Sequence, residues 1–352
     1  MKAVSPFAIP TSLDDVANNP GASVLAYCIS SISMTAVNKY IFSGGGWNLT
    51  FFCLTIQSVV CLAALVLGQR LKLVTTLAPF DYAKAKKWFP LSVLLVGMIY
   101  SSAKSLQFLS VPVYTIFKNL TIIVIAYGEN LFFGAKVSRT ILLSFGLMVF
   151  SSIVAAWADI QAAVNGLYAT ETASQLGAGY AWMAINVFCT SAFLLGMRKT
   201  MKALELNDAD TTFYNNLLSI PVLILASIFL EDWSAENVTR NFPPDTQNIL
   251  ILSIIYSGLG TIFISYTSAW CMRVTSSTTY SMAGALNKLP LSITGFIFFG
   301  APVTLGSISA VFIALISGIV YAWGRVVQAE KAKMALPTAN QDNFEISKDT
   351  KA

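Results

Sequence analysis

The chain has 352 residues; 55% are hydrophobic and only 11% are charged, against roughly 25% charged in an ordinary soluble domain. Hydrophobic segments recur along nearly the whole length, which argues against a single soluble core. The net charge of +5 is spread over short loops and tails, not gathered in a stripe, so nucleic-acid binding has no support.

A spanning helix needs roughly 20 mostly apolar residues, and ten segments qualify. A polar tail, residues 1–20, carries no cleavable signal pattern. The first span, about 21–42, therefore reads as an uncleaved signal-anchor; it carries Tyr27, Ser31 and Asn38, with Lys39 near its end and placed to snorkel. Spans two and three cover about 49–69 and 88–110, and Lys104 in the third receives no role. Span four, about 111–133, presents Tyr114, Lys118 and Thr121 on one face, with Glu129 near its end. Span five, about 139–159, ends at Asp159, and a polar loop, 160–176, follows. Span six, about 177–197, holds Asn186 and Thr190. In span seven, about 210–230, Thr212, Asn215, Asn216 and Ser219 share a face ahead of Pro221. Span eight, about 247–271, aligns Ser257, Thr261, Ser265 and Ser268. Span nine, about 275–299, puts Tyr280, Gly284, Asn287 and Lys288 at i, i+4, i+7 and i+8, one helical face. Span ten covers about 303–326; the tail 327–352 mixes lysines, acids and polar residues and reads as disordered.

Basic residues test the count. With a cytosolic N-terminus, only Arg240 of the 22 basic residues lies on the opposite side, and Lys39, Lys104, Lys118 and Lys288 lie within spans. All others fall in the tails and cytosolic loops. Both termini are therefore expected in the cytosol, and the sequons Asn48-Leu-Thr50 and Asn237-Val-Thr239 in the lumen.

The chain also repeats itself at an offset of 166 residues. Phe132-Phe133-Gly134-Ala135-Lys136-Val137-Ser138 matches Phe298-Phe299-Gly300-Ala301-Pro302-Val303-Thr304, while Tyr114 matches Tyr280, Leu120 matches Leu286 and Ser102-Ala103 matches Ser268-Ala269. Each half then has five spans, 21–159 and 177–326, and an odd number turns the second copy upside down. The expected fold is thus all-α and membrane-integral: ten helices in two inverted repeats, with a ligand near the midplane, as in many secondary transporters.

Charge inside a bilayer is costly, so it faces a cavity or a partner. Lys288 sits near mid-span with no acid at its depth; it either meets an anionic ligand such as phosphate or bonds helix-end carbonyls. Lys118 has the same two readings. The adjacent amides Asn215 and Asn216 bring two acceptors and four donors, suited to a purine edge or to helix–helix bonding. The hydroxyls of spans one, six and eight either line a cavity or serve close packing. There is no histidine, which removes the commonest metal ligand and proton shuttle. No carboxylate pair lies at depth, so enzyme chemistry has no support. Cys28, Cys53, Cys61, Cys189 and Cys271 sit in apolar segments without metal-ligand spacing and read as packing or membrane-facing thiols.

Phe213-Tyr214-Asn215-Asn216 and Gly284-Ala285-Leu286-Asn287-Lys288 resemble the paired signatures of fungal-type Golgi GDP-mannose transporters, nucleotide-sugar transporters of the drug/metabolite transporter superfamily. The stretches 112–121 and 274–282 and the Glu231-Asp232-Trp233-Ser234 run look similar too, so the likeness covers about 22–326. The resemblance implies that Asn215 and Asn216 read guanine, helped by Ser265. It implies that Gly284, Asn287 and Lys288 hold sugar and diphosphate, that Tyr280 contacts phosphate or ribose, and that Tyr27, Tyr114, Asn186 and Ser268 complete the wall; Lys118, on the face of Tyr114, joins the candidate site on its charge alone. It further implies exchange of GDP-mannose for GMP without a cofactor, a Golgi membrane location with the endoplasmic reticulum or transport vesicles as additional sites, contact with membrane lipids, and a homodimer. The same fold carrying another nucleotide sugar or phosphorylated metabolite is the alternative. A channel or receptor is disfavoured by the inverted repeat.

Overall fold

In lipid every backbone polar group needs a partner within the protein, and a helix supplies one within a single segment. The structure, a computed structural model, follows that rule. It describes residues 16–42, 47–71, 77–109, 111–164, 173–245, 247–287 and 305–334, and among these there are helices and no strands. The helices are α1 (Pro20–Phe42), α2 (Thr50–Arg70), α3 (Tyr82–Phe108), α4 (Val111–Phe133), α5 (Arg139–Val164), α6 (Ala173–Ala203), α7 (Asp208–Leu230), α8 (Ala235–Asn241), α9 (Gln247–Val274), α10 (Ser277–Leu286) and α11 (Leu305–Met334). Among the described residues seven helices are long and apolar enough to cross a membrane, and Arg139–Val154 forms a shorter apolar helix. Large apolar side chains such as Leu25, Phe188, Phe229, Phe263 and Ile319 point outward, as a bundle solvated by lipid requires.

Local sequence sets where the helices stop. Asp81 caps α3 by accepting from Ala83 N, Asn207 caps α7 by accepting from Asp210 N, and Ser276 caps α10 by accepting from Thr279 N. Beyond Phe133, Gly134 takes φ +65° and its N–H bonds the Asn130 carbonyl, the left-handed cap that ends α4. The matching Gly300, and with it the whole 298–304 copy, lies outside the described residues.

The two largest buried clusters organise the bundle. Trp88, Ile125, Phe193, Met197, Tyr214 and Met272 join α3, α4, α6, α7 and α9. Ile122, Phe145, Met148, Met282, Ala314 and Tyr321 join α4, α5, α10 and α11. The packing partners have a pattern. α3 packs on α6 as α9 packs on α1; α7 on α3 as α2 on α9; α4 on α5 as α10 on α11; α4 on α6 as α10 on α1. α2 also packs on α7, α4 on α10 and α5 on α11. Exchanging α1–α5 with α6, α7, α9, α10 and α11 leaves all these pairs unchanged; the contacts of α7 with α9 and of α6 with α9 and α10 have no counterpart of that strength among the described residues.

Polar clamps tie both ends. At the end where α7 begins, here the near end, Asp208 holds Arg273 of α9 with both oxygens at 2.7 and 2.8 Å. There Asp210 accepts from Ala78 N at 2.8 Å and the Tyr214 hydroxyl accepts from Asp81 N at 2.9 Å. At the far end both carboxylate oxygens of Glu231 accept from the first turn of α2, Phe51 N and Phe52 N, while Ser227 donates to the same group. Asn48 and Asn237 exchange amide hydrogen bonds at 2.9 and 3.1 Å, and Asn241 joins them.

Candidate functional site

Three helices bring the first polar cluster together. Tyr27 of α1 lies with its ring 4.6 Å from that of Tyr280 on α10. Tyr280 also lies near Ser268 of α9. Gly284, one turn further along α10, faces the same spot: a β-carbon there would sit 3.1 Å from the Tyr27 hydroxyl oxygen. No side chain fits without displacing Tyr27, which is the physical reason for glycine at this position. Asn287 ends α10, is buried, and its Nδ2 has no hydrogen-bond partner among the described residues. A buried amide left open is costly in a finished core and natural where a ligand completes the bond.

The second cluster lies on α3, α4 and α6. The Tyr114 hydroxyl bonds Ser102. Lys118 Nζ donates to Thr190 at 3.4 Å and stands 5.8 Å from the Tyr114 ring centroid. Asn186, fully buried, donates to the Met98 carbonyl at 2.8 Å and to Ser101 at 3.2 Å; its Oδ1 has no partner among the described residues. The sequence left Lys118 between an anionic ligand and a structural role, and it has protein partners here. The hydroxyls of α9 divide likewise: Ser257 is buried against Gln57 at 2.9 Å, whereas Ser265 and Ser268 are half-buried.

On α7, Thr212, Asn216 and Ser219 are buried and Asn215 is half-buried. Asn216 donates to the Thr212 carbonyl at 2.8 Å, and Asn215 Oδ1 has no partner among the described residues. No hydrogen bond among the described residues joins either amide to the two clusters. α7 runs on through Pro221 to Leu230. Lys288 lies outside the described residues, as do the side chains of Asn38 and Lys39. Lys104 donates to Gln107 at 3.1 Å on an exposed face.

One group was missed by sequence reasoning. Glu129, 2% exposed, accepts from Arg198, from Ser277 N at 2.6 Å and from Thr278 Oγ1 at 2.7 Å. An acid near the end of an apolar segment was the only signal, and nothing local named its partners.

The sequence pattern of the UAA transporter family matches residues 21–325. The chain belongs to the UAA transporter family. Membership makes it a transporter, not an enzyme, and with the spans above a multi-pass membrane protein. Among UAA relatives, it is 63% identical to the GDP-mannose transporter of Pyricularia oryzae, over 93% of this chain and 84% of that one. It is 63% identical to that of Sclerotinia sclerotiorum, over 93% and 85%, and to that of Neurospora crassa, over 92% and 83%. A crystal structure superposes with TM-score 0.61 at 13% identity, over 89% of this chain and 99% of that one, a likeness of fold.

Proposed function

We propose that this transporter carries GDP-mannose into the Golgi lumen in exchange for GMP, by alternating access, and so supplies lumenal mannosylation. The observation that carries this reading is 63% identity, over more than nine-tenths of the chain, to relatives named GDP-mannose transporters. Both motifs, Phe213–Asn216 and Gly284–Lys288, are intact in this chain.

The fold proposed for it is ten spans in two inverted repeats, 21–159 and 177–326, with both tails cytosolic. The exchange-invariant packing pairs support the repeat, and basic-residue asymmetry supports the orientation. The near end then faces the cytosol. The binding residues proposed are Asn215, Asn216 and Ser265 for the base; Gly284, Asn287 and Lys288 for sugar and diphosphate; and Tyr27, Tyr114, Lys118, Asn186, Ser268 and Tyr280 for the wall. A homodimer in the Golgi membrane belongs to the same reading.

The exchange has a charge rationale. The diphosphate of GDP-mannose carries about two negative charges and GMP about 1.5 to 2, so swapping them is nearly electroneutral. An empty carrier would move Lys288 across the membrane centre without a counter-ion, at a cost of several kcal/mol. The test is uptake of labelled nucleotide sugars into liposomes holding the purified chain. Liposomes preloaded with GMP accumulate GDP-mannose quickly and empty ones take up little. Equal rates into loaded and empty vesicles, or strong driving by a proton gradient, overturn the exchange mechanism.

A further inference from the structure

Every residue at the start of α10 is held. Ser276 accepts from Thr279 N and, at 3.4 Å, from Arg325; Ser277 donates its hydroxyl to the Leu194 carbonyl; Thr279 bonds the Tyr321 hydroxyl at 2.9 Å. At the centre stands Glu129 of α4, whose carboxylate caps the first turn through Ser277 N and Thr278 Oγ1. A carboxylate at a helix N-terminus is doubly favoured, by the open N–H groups and by the helix dipole. Arg198 of α6 binds the same carboxylate and donates its other arm to the Thr275 carbonyl at 2.8 Å, closing the turn between α9 and α10. Tyr280, Gly284 and Asn287 follow on that helix. One buried carboxylate from the first half thus holds the helix that carries candidate ligand residues of the second half.

We propose that Glu129 is a positioning residue for transport. With Arg198 it forms a latch that sets α10 in register over the Tyr27–Ser268–Tyr280 cluster and shuts the near end of the bundle. This rests on the transporter reading above, with the near end cytosolic. For that side to open, α10 must leave α4 and α6. The only buried carboxylate at the start of α10, among the described residues, is the one that must be released. Closure and the geometry of the ligand residues are therefore one event, because Ser277 and Tyr280 lie one turn apart on the same short helix.

Cys271 supplies a native reporter. It is fully buried, one turn before Thr275, in the cluster with Tyr27 and Ala283. The full chain, with its other four cysteines replaced by alanine, is reconstituted in lipid nanodiscs and treated with a membrane-impermeant maleimide. Glu129→Gln keeps the shape and an acceptor but loses the charge. It is expected to speed alkylation of Cys271 at least roughly tenfold, the factor equivalent to about 1.4 kcal/mol, and to raise the KM for GDP-mannose uptake several-fold. Arg198→Gln gives the same acceleration, and the double variant adds little, because both remove one latch. Thr278→Val, which deletes one donor only, gives a smaller acceleration and serves if Glu129→Gln does not fold. A purely structural role would lower the melting temperature and leave Cys271 labelling, well below melting, at the wild-type rate. That result, in either Glu129→Gln or Thr278→Val, overturns the latch. Alkylation needs no substrate, so a failure of GDP-mannose uptake in the parent chain would count against the transport assignment and leave this test standing.

Discussion

The Tyr114 hydroxyl bonds the hydroxyl of Ser102, tying α4 to α3; 166 residues further on, Tyr280 of α10 lies near Ser268 of α9. Tyr280 has the tilted ring of Tyr27 beside it, and Tyr114 has Lys118. The expected consequence is that Tyr114→Phe lowers GDP-mannose uptake by the cost of one neutral hydrogen bond, about 0.5–1.5 kcal/mol, or up to roughly tenfold, and that Tyr280→Phe, at the matching position, lowers it as well. Wild-type uptake by both variants would sink the paired role of these tyrosines.

Gly284 leaves little room for a side chain. Gly284→Ala brings a methyl to 3.1 Å from the Tyr27 hydroxyl oxygen, so Tyr27 must yield by a few tenths of an ångström. The variant is expected to fold and to compete poorly for GDP-mannose. Removing the hydroxyl returns the space, so Gly284→Ala with Tyr27→Phe binds better than Gly284→Ala alone. Equilibrium competition measures both, and an unimpaired Gly284→Ala counts against Tyr27 as a wall residue.

Tyr214 and its neighbours Asn215 and Asn216 part company. The tyrosine is buried and holds the cap of α3 through Asp81 N. Tyr214→Phe orphans that donor and is expected to cost about 1–3 kcal/mol of stability, seen as a lowered melting temperature. Guanine selectivity should persist in the folded fraction. Asn215→Ala and Asn216→Ala are expected to do the opposite: GMP loses its advantage over UMP as a competitor while the fold holds. Preserved GMP preference in both asparagine variants removes them from the base site.

Neither sequon is expected to carry a glycan. Asn237 is 6% exposed and its amide is spent on Asn48 and the Asp232 carbonyl. Asn48 sits at the start of the second span, bonded to both Asn237 and Asn241. Chain made in a glycosylating host should show no mobility shift on glycosidase treatment. A shift abolished by Asn237→Gln would show that the amide cluster forms differently in the cell.

The sequence by itself determined the class of molecule. Span length and low charge are bilayer requirements that each segment meets alone, so they can be read locally. The matches 166 residues apart, Tyr114 with Tyr280 and Ser102 with Ser268 among them, could be read the same way. The tertiary structure alone decided which polar residues meet. Helical spacing says which residues share a face, not which face turns inward. Lys118 finds Thr190 across 72 residues, Glu129 finds Ser277 across 148, and Asn48 finds Asn237 across 189. Those partners depend on how each helix is rotated and how deep it sits against its neighbours. Burying apolar surface against protein or lipid leaves that rotation nearly free, and the choice is made by interhelical packing and by the few hydrogen bonds that the rotation permits.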